Sequence, residues 1–229
     1  AFMMLSPGQH AISLNVEDTT GKSKTESVVI QVGGPNQEPL CEITEPSPSS
    51  TYNLGQNVTF LGTATDPDIN NSLLDIQWIS DQDGIFNTTA ANTSGELSFI
   101  TNTLSVGNHT ITLQVEDEIG GLCTDTLLLS LGTPPTLEVD EPINSSIFSL
   151  NEAITFTATV SDTEELPSDI SLSWNSHIDG EFSTQGSDSN GNIYFSFSDL
   201  SAGIHNILVY ATDSSGLSSS ASLSLQINT

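Results

Sequence analysis

Acidic side chains recur at matched places along the chain: Asp66 and Asp68, Asp117 and Glu118, then Asp162, Glu164 and Asp213. Hard oxygen ligands drawn from two loops, with backbone carbonyls and water, suit Ca²⁺, which takes six to eight oxygens. The competing chemistry is plainer, since Asp, Asn and Gly are also the ordinary residues of turns. No Asp-x-Asp-x-Asp-Gly loop supports the metal reading further. Histidines recur too, as His10, His109 and His205, without a His-x-His pair or a close cysteine to make a metal site. His109 shares the parity of Ile111, Leu113 and Val115, so it is expected to point inward and tie a loop to backbone. His177 is a lone loop residue with no assignable role. No Gly-x-Ser-x-Gly elbow and no phosphate-cradling glycine loop is present, so no catalytic function is expected.

These groups sit in a stretch that occurs three times. Leu104-Ser-Val-Gly107-Asn-His109-Thr-Ile111 continues to Gly120; Leu5-Ser-Pro-Gly8-Gln-His10-Ala-Ile12 and Leu200-Ser-Ala-Gly203-Ile-His205-Asn-Ile207 repeat it at shifts of 99 and 96 residues. A period near 100 residues means tandem whole domains. The pattern divides the 229 residues into a strand pair at 1–34 and two complete repeats at 35–133 and 134–229. Because the chain opens inside a repeat, it reads as part of a longer protein, with any export signal upstream; Phe2-Met3-Met4-Leu5 lacks the flank and cleavage site of one.

Alternation of Ile12, Leu14 and Val16, of Ile111, Leu113 and Val115, and of Ile207, Val209 and Ala211 predicts strands with one buried face. Gly33 to Pro39 and Leu131-Gly-Thr-Pro-Pro135 are turn-rich linkers. No stretch sustains a 3.6-residue period, and six or seven short strands per repeat predict a Greek-key sandwich. Chain direction then places Asp66, Asp68, Asp117 and Glu118 at the pole where the first strand enters. Asp81, Asp83 and Glu45 fall at the opposite pole, facing the next repeat. Cys41 begins the first strand and Cys123 the last; if those strands pair in parallel the two thiols meet as a disulfide, against the alternative of two buried free thiols. A bridge implies an oxidising, extracytoplasmic setting.

With 29 acidic residues, two lysines and no arginine, the chain carries a formal charge of −27. That excludes nucleic acid, whose phosphates need neutralising, and anionic membrane surfaces. No apolar run approaches the ~20 residues of a membrane helix, so no direct insertion is expected in this segment. Asn57, Asn70, Asn87, Asn92, Asn108 and Asn144 head glycosylation sequons.

Trp78 and Trp174 in the third strand, an Asp-Gly turn after each, and the Leu-Ser-x-Gly-x-His-x-Ile entry to the sixth strand resemble the immunoglobulin-like, PKD-like repeats of microbial surface proteins. PKD domains carry Trp-Asp-Phe-Gly-Asp-Gly, whereas this chain has Trp78-Ile-Ser-Asp-Gln-Asp-Gly84, one residue longer and without the Phe. The resemblance implies an all-β fold of tandem immunoglobulin-like (PKD-like) Greek-key β-sandwiches. A likeness to cadherin-like arrays would further imply calcium at the junctions. The expectation is a non-catalytic extracellular, cell-surface array acting as stalk, spacer or filament shaft, with neighbouring repeats as its partners. Rival roles are an adhesin or carbohydrate-binding module, which would need exposed aromatics such as Tyr52, Tyr194 and Phe148 to meet cell-surface glycans; a self-assembling subunit completing residues 1–34; and accessory domains of a secreted hydrolase.

Overall fold

The computed structural model describes residues 4–229, so the first three residues of the 1–34 segment, including Phe2 and Met3 of the Phe2–Leu5 stretch, lie outside the described residues. β1 (Gly8–Glu17) and β2 (Ser23–Val32) form an antiparallel hairpin that stands as its own two-stranded sheet.

Repeat two contains β3 (Leu40–Glu45), β4 (Ser50–Asn53), β5 (Val58–Thr65), β6 (Asp75–Ser80), β7 (Gly84–Asn87), β8 (Glu96–Thr101), β9 (Gly107–Glu116) and β10 (Leu122–Gly132). They build a three-stranded sheet in the order β3-β5-β8 and a five-stranded sheet in the order β4-β10-β9-β6-β7. Repeat three copies this with β11 (Thr136–Glu141), β12 (Ser146–Ser149), β13 (Ile154–Ser161), β14 (Ser171–Ser176), β15 (Gly180–Ser183), β16 (Asn192–Phe197), β17 (Gly203–Thr212) and β18 (Ser218–Asn228). Each repeat therefore has eight strands rather than six or seven. The extra ones, β4 and β7 with their counterparts β12 and β15, are four residues long and too short to show a period.

The first strand also behaves differently from expectation. Cys41 lies on β3, which pairs with β5, while the strand parallel to β10 is β4. A cis Glu45-Pro46 bond and Ser49 in the left-handed region (φ 63°) lie between β3 and β4, where the chain crosses from one sheet to the other. Cys41 and Cys123 nonetheless meet at the open sandwich edge and are bonded, with Cα atoms 5.9 Å apart. Just below them, Asp125 Oδ2 accepts the Ile43 backbone N–H at 2.8 Å.

Both cores follow from period-two alternation. Ile111, Leu113 and Val115 on β9 and Ile76 and Trp78 on β6 are fully buried, as are Ile207, Val209, Ala211 and Trp174 in repeat three. Phe60 stacks on Phe99 with centroids 5.1 Å apart, and Trp78 meets both edge-on at 5.4 and 5.3 Å. Phe156, Phe195 and Trp174 repeat the arrangement at 5.0, 5.5 and 5.1 Å. Edge-to-face and offset aromatic contacts of this kind add about 1 kcal/mol each beyond area burial. Gly62 brings the Glu42 backbone close beneath this cluster, where a Cβ would lie 2.7 Å from the Glu42 carbonyl and 3.5 Å from the Trp78 ring; repeat three has the buried Ala158 at the matching place.

Candidate functional site

The repeated Asp-x-x-Gly turns explain part of the acidic pattern. Asp18, Asp117 and Asp213 each follow the long strand before a turn. Each uses Oδ1 to accept the N–H four residues on, from Lys22 at 3.0 Å, Gly121 at 2.8 Å and Leu217 at 2.8 Å. Gly21, Gly120 and Gly216 close these turns at φ of 81–91°, a region glycine enters without steric cost. Asp66 and Asp162 serve the other loop of the same pole. Asp66 Oδ1 accepts from Asp68 N at 2.6 Å and Ile69 N at 3.0 Å; Asp162 Oδ1 accepts from Glu164 N at 2.7 Å and Glu165 N at 3.3 Å.

The remaining carboxylates hold the linkers. At the first joint the Gln37 backbone N–H donates to Asp68 Oδ2 at 2.6 Å, and Asn36 Nδ2 donates to Asp117 Oδ2 at 2.7 Å. At the second joint Thr133 Oγ1 donates to Glu164 Oε2 at 2.7 Å. Thr133 stands 96 residues after Gln37, and Glu164 stands 96 after Asp68, so the same two places meet in both joints. The second joint is sealed further by Thr51 Oγ1 donating to the Ser215 carbonyl at 2.9 Å, while within repeat three Glu165 Oε1 accepts from Ser214 N at 2.8 Å and joins the two loops of that pole. Glu118 is exposed and lines a shallow cleft with Asn36, Pro67 and Asp68.

These contacts set the electrostatics. The Asn36 amide, with the turn N–H groups, holds the Asp117 carboxyl below its ordinary range. The Thr133 hydroxyl does the same for Glu164. Burial, with Glu164 beside it, pushes Asp162 up. Asp66 Oδ2 and Asp162 Oδ2 are buried and accept no hydrogen bond from the protein.

A cleft of about 250 Å³ lies between repeats two and three, lined by Gly107, Asn108 and Ser130 on one side and by Asp162, Glu164 and Asp213 on the other. Asp81, Asp83 and Glu45 do not line it. Asp83 Oδ2 instead accepts the Ser105 N–H at 2.9 Å, and Asp81 Oδ1 the Thr110 N–H at 2.8 Å. Among the described residues no three His, Cys, Asp or Glu side chains converge as metal ligands would. The carboxylates at these poles are largely engaged by backbone and linker donors, while one oxygen each of Asp66 and Asp162 is left without a protein partner.

His109 is buried, with Nδ1 2.8 Å from Ser80 Oγ and Nε2 2.9 Å from the Ser105 carbonyl. A carbonyl only accepts, so Nε2 carries the proton. Ser80 Oγ accepts from Gln82 N and Asp83 N, which leaves its own proton for Nδ1. Ser176, His205 and Ser201 copy this at 2.8 and 2.7 Å. With Asp83 3.7 Å from Nδ1, the trio superficially matches a hydrolytic triad. Its serine is buried and fully hydrogen-bonded, and its histidine is committed on both sides, so the cluster is a corner lock. His10 makes only the Nε2 contact, to the Ser6 carbonyl at 2.7 Å.

The sequence reasoning missed His177. It stands 96 residues after Asp81, and its Nδ1 accepts the Asn206 N–H at 2.9 Å as Asp81 accepts that of Thr110. Of the three candidate glycan-binding aromatics, Tyr52 and Phe148 pack against the cores and Tyr194 alone is strongly exposed. Among the sequon asparagines, Asn57, Asn70, Asn92, Asn108 and Asn144 are exposed and Asn87 is half-buried, while Asn92 Nδ2 is already engaged by Glu96 Oε2 at 2.8 Å.

The fold and its repeated corner define a tandem array of immunoglobulin-like β-sandwiches. Residues 39–113 match the bacterial Ig domain family. No curated protein sequence matches the chain. Among solved structures, the chain is similar to the fibronectin(III)-like modules of Clostridium thermocellum CbhA, at 16% identity over 82% of this chain and 94% of that one, with a TM-score of 0.46. It is also similar to Sidekick-1 immunoglobulin domains 1–4, at 16% identity over 94% of this chain and 57% of that one, with a TM-score of 0.45. Among the described residues no helix is long and apolar enough to cross a membrane.

Proposed function

We propose that the chain is a non-catalytic shaft segment of an extracytoplasmic surface protein, in which the linkers are clamped so that successive repeats act as one stiff rod. The supporting observation is that the same two places meet at both joints, through the Gln37 backbone N–H on Asp68 and the Thr133 hydroxyl on Glu164. A linker that only tethered domains would need no partner 31 residues further along in both cases. The disulfide adds support for an oxidising compartment. Self-repulsion from the acidic surface opposes collapse of the array. The stiffening comes from hydrogen bonds, and bound calcium is not required for it.

The test is rotational diffusion of repeats two and three in the full chain, measured by ¹⁵N relaxation after EDTA treatment and again in millimolar Ca²⁺. A common tumbling tensor in EDTA, loosened by Thr133→Val, supports the clamp. Independent tumbling in EDTA that becomes concerted only with Ca²⁺ would replace it with a calcium-stiffened joint. Independent tumbling in both conditions would refute the stiff shaft.

A further inference from the structure

Both complete repeats have open sheet edges: β3, β8, β4 and β7 in one, β11, β16, β12 and β15 in the other. An open strand edge is a template for pairing with another chain, and proteins blunt it by shortness, bulges or charge. β4, β7, β12 and β15 are four residues long. β3 and β11 each carry a bulge and acidic residues, Glu42 and Glu45 in the first, Glu138, Asp140 and Glu141 in the second. β8 begins on Glu96. β16 has none of these devices. It reads Asn192-Ile-Tyr-Phe-Ser-Phe197, is six residues long, pairs with β13 without a register shift, and contains no charge, proline or glycine. Such a segment has the composition that favours strand-to-strand association.

Its backbone is aimed outward at the places that matter. The Val160 N–H donates to the Gly191 carbonyl at 2.9 Å, just before β16 begins. Hydrogen-bonded pairs alternate along an antiparallel ladder, so Ile193 and Phe195, opposite Ala158 and Phe156, bond to β13. The backbone groups of Asn192, Tyr194 and Ser196 point the other way. The Asn192 N–H is taken up by Asp188 Oδ1 at 2.9 Å. Those of Tyr194 and Ser196 face the side on which, among the described residues, no strand borders β16. The Tyr194 side chain is 69% exposed, where repeat two has Ser98.

We propose that β16 is a pairing edge for a second copy of this chain, joined antiparallel about a two-fold axis at Phe195. In that register Tyr194 of each copy stands opposite Ser196 of the other, so the outward N–H and carbonyl groups of both residues are satisfied, and Phe195 lies beside its own counterpart. The surface is thus self-complementary, as a two-fold interface must be. Assembly stops at two copies, because pairing uses up the edge and the other edges are short, bulged or charged. Charge selects this place. Two chains of formal charge −27 repel each other, and an uncharged strand is where their backbones approach at least electrostatic cost. Asp188 and Asp199 flank β16, and antiparallel pairing brings Asp188 of one copy and Asp199 of the other to the same end, so the dimer tightens as salt screens them. An interface one strand wide belongs with small, reversible contacts. It would join chains side by side, whatever holds the linkers within each.

The test is sedimentation of the full chain up to millimolar concentration, in low salt and in half-molar NaCl. Hydrogen exchange of the Tyr194 and Ser196 amides is read at both ends of the concentration range. Expected are a reversible monomer–dimer equilibrium that tightens with salt, and exchange at those two amides that slows as dimer fills. Tyr194→Glu sets a charge beside the pairing backbone and should weaken the dimer about tenfold or more. Tyr210→Glu makes the same exchange at an exposed place on β17, in the other sheet, and should leave the dimer nearly unchanged. Thermal melts of repeat three check that both variants are folded. The proposal is overturned if the chain stays monomeric throughout, if the two variants weaken the dimer equally, or if a dimer forms without slowed exchange at Tyr194 and Ser196, which would put the contact elsewhere.

Discussion

Asn36 donates to Asp117 Oδ2 at 2.7 Å across 81 residues of sequence, and Gly121 makes the room for it. A Cβ at position 121 would run into Asp117 Oδ2. In the second joint the sizes are exchanged. Gly132 stands in the place of Asn36 and Leu217 in that of Gly121, and a Cβ on Gly132 would lie 3.3 Å from Leu217 Cδ1. One joint is therefore closed by an amide and a carboxylate beside a glycine, the other by a leucine against a glycine.

Gly121→Leu should convert the first joint toward the second without its matching glycine. The Asp117 turn survives, because Oδ1 still accepts the residue-121 N–H just as Asp213 accepts that of Leu217. The Asn36 bond is lost, and with it the main cause of the depressed Asp117 pKa. The expected outcome is an Asp117 carboxyl titrating closer to its ordinary range by NMR, with repeat two still folded. An unchanged titration would show that Asn36 does not hold the carboxylate in solution.

Asp162 on one side, and Asp83 and Asp179 on the other, give opposite pH dependences. The folded pKa of Asp162 is raised, chiefly by burial, so its ionisation costs stability above that pKa and the cost fades as pH falls through it. Asp162→Asn keeps an oxygen for the Glu164 and Glu165 N–H groups and removes the charge. Repeat three should unfold at a higher temperature at pH 7, with the gain vanishing in acid. Asp83 and Asp179 are depressed, mainly by the Ser105 N–H and the Ser201 hydroxyl respectively. Their contribution is present above the unfolded carboxylate pKa of about 3.9 and is lost as pH falls through the folded values. Asp179→Asn should therefore destabilise repeat three at pH 7 and make little difference at pH 2; thermal melts across that range decide both signs.

Much of this architecture was legible in the residues. The triplets Ile111/Leu113/Val115 and Ile207/Val209/Ala211 state both strand type and buried face, Ile12/Leu14/Val16 states the strand while its side chains stand exposed, and the constant 96-residue offset aligns two whole domains. Short strands such as Ser50–Asn53 leave no period to detect, and the crossing near Pro46 that sends β4 to the other sheet depends on local backbone geometry. The parity of the acidic residues locates a pole. It does not reveal that Asp68 and Glu164 accept from linker atoms, because that depends on where the linker runs. His177 was readable in principle, since the 96-residue offset from Asp81 pairs the two.

The disulfide site offers a direct comparison between the repeats. Leu137 and Ser219 occupy the places of Cys41 and Cys123, and the Ser219 hydroxyl is buried without a partner. Leu137→Cys with Ser219→Cys should form a bridge closing a loop of similar length, and raise the stability of repeat three by up to ~4 kcal/mol in the loop-entropy account. Denaturant melts with and without reductant measure it. Reduction of the native chain should lower repeat two alone and leave repeat three where it was.

Asp81 and His177 share one task with different acceptors, which makes the exchange between them informative. Each closes the same corner by accepting a β9-type backbone N–H, through Oδ1 at 2.8 Å or Nδ1 at 2.9 Å, while its own N–H donates to the carbonyl of that same residue. His177→Asp should therefore retain the bond and leave the neutral-pH stability of repeat three nearly unchanged. His177→Ala strands the Asn206 N–H at the surface and should cost about 1 kcal/mol. Thermal melts of the native chain and the two variants at pH 7 separate the cases: equal losses for the Asp and Ala variants would mean that the ring's packing beside His205, 6.4 Å away, matters more than the hydrogen bond it accepts.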